Sequence, residues 1–164
     1  MALTAAQETT LAAHIRASQD AAVVAALAIR NDVELTRLYN LQSNTDAWRS
    51  AMSARDIFEA TDILNYDAIT QSGKREAWRM LMDFAPIDFT RNKYRKAITD
   101  VWTSLSAGNL TALTQSFTRK ATVAETVFGG ASATTNSVAA LKLNWEGTLS
   151  TDDVSYALNR NPVV

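Results

Sequence analysis

At 164 residues, with 47% hydrophobic and 20% charged side chains, the chain suits one domain with a core of its own and needs neither a disulfide nor a metal to fold. It contains no cysteine, which excludes a disulfide framework and a thiolate metal site and fits a reducing compartment. No window approaches the ~18 apolar residues of a membrane span. Met1-Ala-Leu-Thr4 leads into a segment carrying Glu8, without the basic and apolar regions of a secretory signal. The expectation is a soluble protein that stays where it is made.

The net charge of −1 conceals an asymmetry. Nine acids and five bases in residues 1–72 give −4, five acids and nine bases in 73–128 give +4, and three acids and two bases in 129–164 give −1. Solvated helix faces can differ in this way without consequence. The sharper reading sets the acidic half of one copy against the basic middle of the next, a head-to-tail contact that closes into rings.

Helices follow from start signals and periodicity. Thr4 and Gln7 have capping-box spacing, and Leu11 and Ile15 share a face, which predicts a first helix over about 5–17. Ser18-Gln-Asp20 restarts the chain into an alanine-rich helix with Val23, Val24 and Leu27, and Asn31-Asp32 caps a third with Leu35, Leu38 and Tyr39. Leu41-Gln-Ser-Asn-Thr-Asp46 reads as a loop. Ser53 and Asp56 then resemble a capping box, and another helix runs from near Ser72 until Pro86 forbids continuation. The cleanest helix has Tyr94, Ile98, Val101, Trp102 and Leu105 on one face. Gly108-Asn109 ends it and caps a long helix bearing Leu110, Leu113, Phe117, Ala124 and Val127.

Gly129-Gly130 breaks this pattern. Ala131-Ser-Ala-Thr-Thr-Asn-Ser137 is too small and uncharged to offset its ordering entropy, and reads as a flexible tract. Leu141, Leu143 and Trp145 then alternate with Lys142 and Asn144, the period of a half-buried strand. Such a strand pairs either with an unrecognised segment such as Ala47–Met52 or with another subunit. Ser150 opens a last short helix with Val154, Tyr156 and Leu158. The fold expected is an all-α bundle of six or seven helices over 1–128, with an extended C-terminal arm, 129–164, that has room for a short β element.

The chemistry-bearing residues point away from catalysis. His14 is the one histidine, beside the Leu11/Ile15 face, and reads as a packed or surface residue. Asp56 and Glu59 sit i, i+3 and read as solvated carboxylates rather than a Mg²⁺ or acid/base pair. There is no G-x-S-x-G, P-loop or dinucleotide fingerprint. The motif that resists a bland account is Arg91-Asn-Lys-Tyr-Arg-Lys96, whose four cations crowd the positive end of a helix dipole, each disfavoured by roughly 0.3–1 kcal/mol. Its candidate partners are an acidic patch on a neighbour, DNA phosphate, or the nearby Asp88 and Asp100. Trp145, the one tryptophan in the arm, is either an anchor for a partner's pocket or a residue that folds back onto its own bundle.

Leu11-Ala-Ala-His-Ile-Arg16, the stretch from Ala22 to Asp32, Leu38-Tyr-Asn40 and the tail from Asp153 to Leu158 resemble small structural-module proteins of tailed bacteriophages, of the head–tail connector or adaptor type. The resemblance lies in texture and segment order at both ends of the chain; residues 41–128 do not share it. It implies a non-enzymatic virion subunit made in the host cytoplasm. Such a subunit forms a homo-oligomeric neck ring between portal and tail, or meets head-completion proteins. It uses no cofactor, catalytic residue, metal, membrane or small-molecule substrate, and DNA is at most a passive contact. The interface residues expected are Arg91, Lys93, Arg95, Lys96, Leu141, Leu143 and Trp145. Alternatives are a head-completion, tail-terminator or capsid-associated protein, or a small DNA-binding regulator.

Overall fold

The computed structural model describes residues 2–61 and 66–160. In chain order the elements are α1 (Ala5–Ala17), α2 (Ala21–Ala28), α3 (Asp32–Tyr39), β1 (Gln42–Trp48), α4 (Ala54–Thr61), α5 (Ser72–Asp83), α6 (Asn92–Val101), α7 (Ala107–Gln115), β2 (Thr118–Thr122), α8 (Val123–Phe128), β3 (Gly130–Thr135), β4 (Val138–Leu143) and α9 (Thr151–Arg160). They build two compact units, one from residues 1–45, 120–131 and 143–164, the other from 46–119 and 132–142.

The helix starts follow their caps. Thr4 and Gln7 close a reciprocal capping box, and the Asp20 carboxylate accepts from the Ala22 and Val23 amides at 2.8 and 3.2 Å. Asn31 accepts from the Glu34 amide at 3.0 Å. The Ser53 amide donates to Asp56 at 3.0 Å while the Asp56 amide donates to the Ser53 hydroxyl at 3.2 Å, the reciprocal geometry of a capping box with aspartate for glutamate.

The all-α expectation is overturned. Four strands form a mixed sheet in the order β2-β1-β4-β3, set among nine described helices. β1 and β4 are parallel with Ala47 opposite Leu141. β2 runs antiparallel to β1: the Val123 amide donates to the Leu41 carbonyl at 2.9 Å, and the Arg49 amide to that of Phe117 at 3.2 Å. β3 and β4 form a hairpin through Asn136 and Ser137, at φ of 47° and 67°. The tract from 129 onward is thus the sheet's hairpin and not an extended arm.

Three local reasons account for the difference. Gln42–Asp46 lacks apolar residues, yet as part of β1 it has a strand on each side, and its Ser43 hydroxyl donates to the Ala121 carbonyl at 2.9 Å. The long helix expected through Phe117 and Val127 is cut by Thr118–Thr122, which pairs with β1. Thr122 then opens α8 with its own capping box to Glu125. The β3–β4 turn is held from outside: the Thr99 hydroxyl donates to Asn136 Oδ1, the Thr111 hydroxyl to the Asn136 carbonyl, and Asn136 Nδ2 to the Thr114 hydroxyl, at 2.9–3.0 Å. Gly129, at φ 71°, ends α8 in the left-handed region that favours glycine.

Each unit has its own core. The first gathers Leu11, Ile15, Leu35, Tyr39, Val154 and Leu158 around Trp145, which meets Phe128 edge to face at 5.0 Å. The second is aromatic: Trp78 packs edge-on against Trp102 at 5.5 Å and Phe117 at 6.1 Å, with Phe89 4.5 Å from Phe117.

Trp145 therefore belongs to the interior of its own chain, at 8% exposure. Trp145→Ala is expected to lower the unfolding free energy of the isolated protein by about 3–5 kcal/mol, read by urea denaturation. A change under about 0.5 kcal/mol, the size of an ordinary surface substitution, would contradict that placement.

Candidate functional site

Residues 88–96 form the entry to α6. Arg91 is its N-cap residue, and its Nε donates to Asp88 Oδ2 at 3.0 Å. Asp88 also accepts from the amide and hydroxyl of Thr90. Burial alone would raise the Asp88 carboxyl, but the bonds from Thr90 and Arg91 outweigh it and hold that group below the ordinary carboxylate range. Lys96 grips Asp100 through both carboxylate oxygens at 2.8 and 2.9 Å, one turn along. The Lys93 ammonium lies 4.6 Å over the neighbouring Tyr94 ring.

Arg95 is different in kind. It is 6% exposed and has no carboxylate partner among the described residues. Its guanidinium donates to the Phe89 and Thr90 carbonyls and lies 5.2 Å over Trp48. Burial lowers its pKa, partly offset by Asp88. The cluster singled out in the sequence thus divides into two ion-paired residues, one buried cation and one exposed lysine. Of the apolar residues expected at the interface, Leu143 and Trp145 are buried and Leu141 is half-buried on β4.

The hairpin supplies a surface that sequence reasoning missed. The Asn144 amide donates to the Gly129 carbonyl at 3.0 Å, so 129 and 144 are a hydrogen-bonded pair. Pairs alternate along an antiparallel ladder. Residues 131, 133 and 135 therefore turn their backbone groups toward β4, and 130, 132 and 134 turn theirs away from it. β3 has one neighbour, β4. Ser132 and Thr134 are exposed, and the outward edge carries no charge, proline or bulge. Next to it is a recess of about 300 Å³ lined by Asn92, Lys96, Thr99, Asp100, Thr134 and Asn136. The available sequence signal was Asn136-Ser137 between two short runs rich in threonine, alanine and valine, a hairpin turn lacking its usual glycine.

A second recess, about 250 Å³, is lined by His14, Asp20, Val23, Leu38 and Tyr39 among others. His14 Nδ1 lies 2.8 Å from the Tyr39 hydroxyl, whose pKa is pushed up to about 12 by burial and by the Asp20 charge. The phenol keeps its proton near neutrality, and whether it donates to Nδ1 or accepts from it follows the imidazole tautomer. Glu59 pairs with Arg55 at 2.7 Å, and Asp56 serves the α4 cap, which holds its carboxyl low through bonds from Ser53. No group of three or more metal-ligating side chains occurs among the described residues, and none of their helices is long and apolar enough to cross a membrane.

The division of the cations gives a measurable contrast. Arg95→Glu sets a carboxylate against two carbonyls in a buried site and is expected to cost about 3–5 kcal/mol of stability. Arg91→Glu, at an exposed pair, should cost under about 1 kcal/mol. Urea denaturation of the two variants reads the difference, and equal costs would refute the division.

Comparison of the chain with protein-family models, with curated proteins and with solved structures found no match.

Proposed function

We propose that the protein is a structural subunit of a tailed-phage virion, of the head–tail connector type, made in the host cytoplasm and joined into a neck ring with portal and tail or head-completion proteins. The virion part of this reading is supported by the resemblance at both ends of the chain. The assembly part is supported by one observation, the uncharged outer edge of β3. An open sheet edge is a template for another strand, and soluble proteins blunt such edges with lysine, proline, bulges or a covering element. The opposite edge, β2, carries Arg119 and Lys120; β3 carries only glycine, alanine, serine and threonine. An edge left in that state suits a chain whose neighbour adds a strand to it.

A DNA-binding regulator has less support. Phosphate contacts need solvated cations free to release their counterions, whereas of the four cations in the cluster Arg91 and Lys96 are ion-paired and Arg95 is buried, which leaves Lys93.

Light scattering of the purified protein is expected to give a closed oligomer. Ser132→Pro removes an outward-facing N–H and should weaken association while leaving the unfolding midpoint of the single chain nearly unchanged, since proline is tolerated on the solvent side of an edge strand. Ala133→Pro removes an N–H that faces β4 and should destabilise the fold itself. A wild-type protein that stays monomeric would overturn the assembly reading.

A further inference from the structure

Two helices, one in each unit, present apolar faces to solvent. α2 is Ala-Ala-Val-Val-Ala-Ala-Leu-Ala, without a polar residue. Val23 and Ala26 point into the core, and Ala21, Val24, Ala25 and Ala28 form the opposite side, continued by Ile29; Val24 is 49% and Ile29 75% exposed. In α5, Trp78 is buried, while Gly73, Ala77 and Met80, with Phe84 just past the end of the helix, recur at i, i+4, i+7 and i+11 on the outward side; Met80 is 50% and Phe84 70% exposed. Exposed single apolar residues are common, but an entire uncharged helix side is not, and methionine and aromatic residues are the types enriched at protein interfaces.

We infer that α2 of one copy packs in parallel along α5 of the next, a head-to-tail contact between identical chains. The inference rests on the reading that the protein assembles, and it names a second contact between copies, separate from the β3 edge. Side-chain size is complementary: the alanine-lined face of α2 leaves room for Met80 and Phe84. The charges at the helix ends choose both the partner and the direction. α2 is bracketed by Asp20 before its first residue and Arg30 after its last, and α5 by Lys74 near its start and Asp83 at its end; Arg30 also lies 4.0 Å from Asp32 and donates to Asn159, and Asp83 lies 3.7 Å from Arg79, so these end charges are shared with their own chain. The two brackets are ten and nine residues apart in sequence. Laid parallel, Asp20 meets Lys74 and Arg30 meets Asp83; laid antiparallel, Asp20 meets Asp83 and Arg30 meets Lys74, like against like. An α2–α2 or α5–α5 contact loses either the size match or the charge match. Because the two faces differ, the contact is heterologous, the kind that generates rings.

The native chain has no cysteine, so introduced thiols report without background. Ala28→Cys with Phe84→Cys in one chain, treated with a short bis-maleimide, is expected to give a ladder of cross-linked multimers on a denaturing gel. Ala21→Cys with Phe84→Cys should give little, because the parallel register sets those positions at opposite ends. Neither Ala28→Cys nor Phe84→Cys alone should cross-link. Far-UV circular dichroism confirms that each variant keeps the wild-type fold. A ladder from the Ala21/Phe84 pair instead, or a dimer from either single variant, overturns the parallel heterologous contact. Wild-type assembly by light scattering with no Ala28–Phe84 cross-link overturns this contact and leaves the assembly reading standing. A monomeric wild type removes both.

Discussion

The second unit is organised around an arginine that has been taken out of water and that has no carboxylate within ion-pair distance among the described residues. Desolvating a cation costs several kcal/mol after relaxation, and a buried charge persists only when its protons are otherwise satisfied. Arg95 meets the condition only in part: its Nη1 donates to the Phe89 and Thr90 carbonyls and the guanidinium lies over the face of Trp48, while its Nε is buried without a hydrogen-bond partner among the described residues. Trp48 in turn is fully buried and donates its indole N–H to the Ala133 carbonyl at 3.0 Å, reaching from β1 past β4 to β3. One stacked pair therefore fixes the entry of α6, the end of β1 and the middle of the hairpin. Residues 87–89 are held to the same place by paired backbone bonds at 2.9 Å between Met52 and Ile87 and by the Phe89 amide on the Arg49 carbonyl.

That arrangement changes how the basic motif is to be understood. Read linearly, four cations at a helix N-terminus conflict with the dipole and suggest an external anion. In three dimensions Asp88, placed just before the helix, takes Arg91, and Asp100, one turn on from Lys96, takes that lysine. The conflict is resolved mostly within ten residues of sequence, and what remains, Arg95, is resolved by carbonyl oxygens and an aromatic face. Asp88 and Asp100 were the least specific of the partners considered, and they are the ones the fold uses.

What could be read in advance follows the range of the interactions. Helix starts depend on residues three apart, and Thr4, Asp20, Asn31 and Ser53 each signal locally what they do. The sheet depends on partners roughly 75 to 95 positions away: Ser43 with Ala121, Ala47 with Leu141, Trp48 with Ala133. In Gln42–Asp46 only Thr45 favours a strand intrinsically, and β-propensity mostly reports packing against neighbours that the sequence does not reveal. The same holds for Gly130–Thr135, which is too poor in apolar groups to order itself and is ordered by β4 and by the threonines that hold Asn136. The Leu141/Leu143 alternation was legible because these two apolar residues share one face of β4, half-buried at Leu141 and buried at Leu143, while Val138 and Ala140 bury the other face; the identity of the strand's partner was not, although Ala47 lay within the segment from Ala47 to Met52. The edge of β3 was invisible for a further reason: which backbone groups face outward is a property of register, and register is set by the turn.

The charge asymmetry along the sequence is a poor guide until the ion pairs within the chain are subtracted. Of the excess bases in 73–128, Arg79 is spent on Glu76 and Asp83, Arg91 on Asp88 and Lys96 on Asp100. Arg75 donates to the Ile69 and Asp67 carbonyls, and Lys74 to the Thr103 hydroxyl, so among the described residues neither finds a carboxylate. Neutral acceptors leave the charge uncompensated, and it remains available to a carboxylate arriving from outside. The residual field of the α5 surface is thus positive at its start, where Lys74 stands, and negative at its end, where Asp83 is shared with an already bidentate Arg79. An exposed pair contributes little affinity by itself, typically ~0.2–1 kcal/mol. Its effect is larger on orientation, because reversing a helix that bears opposite charges at its two ends turns two attractions into two repulsions, while the apolar faces between them are indifferent to direction.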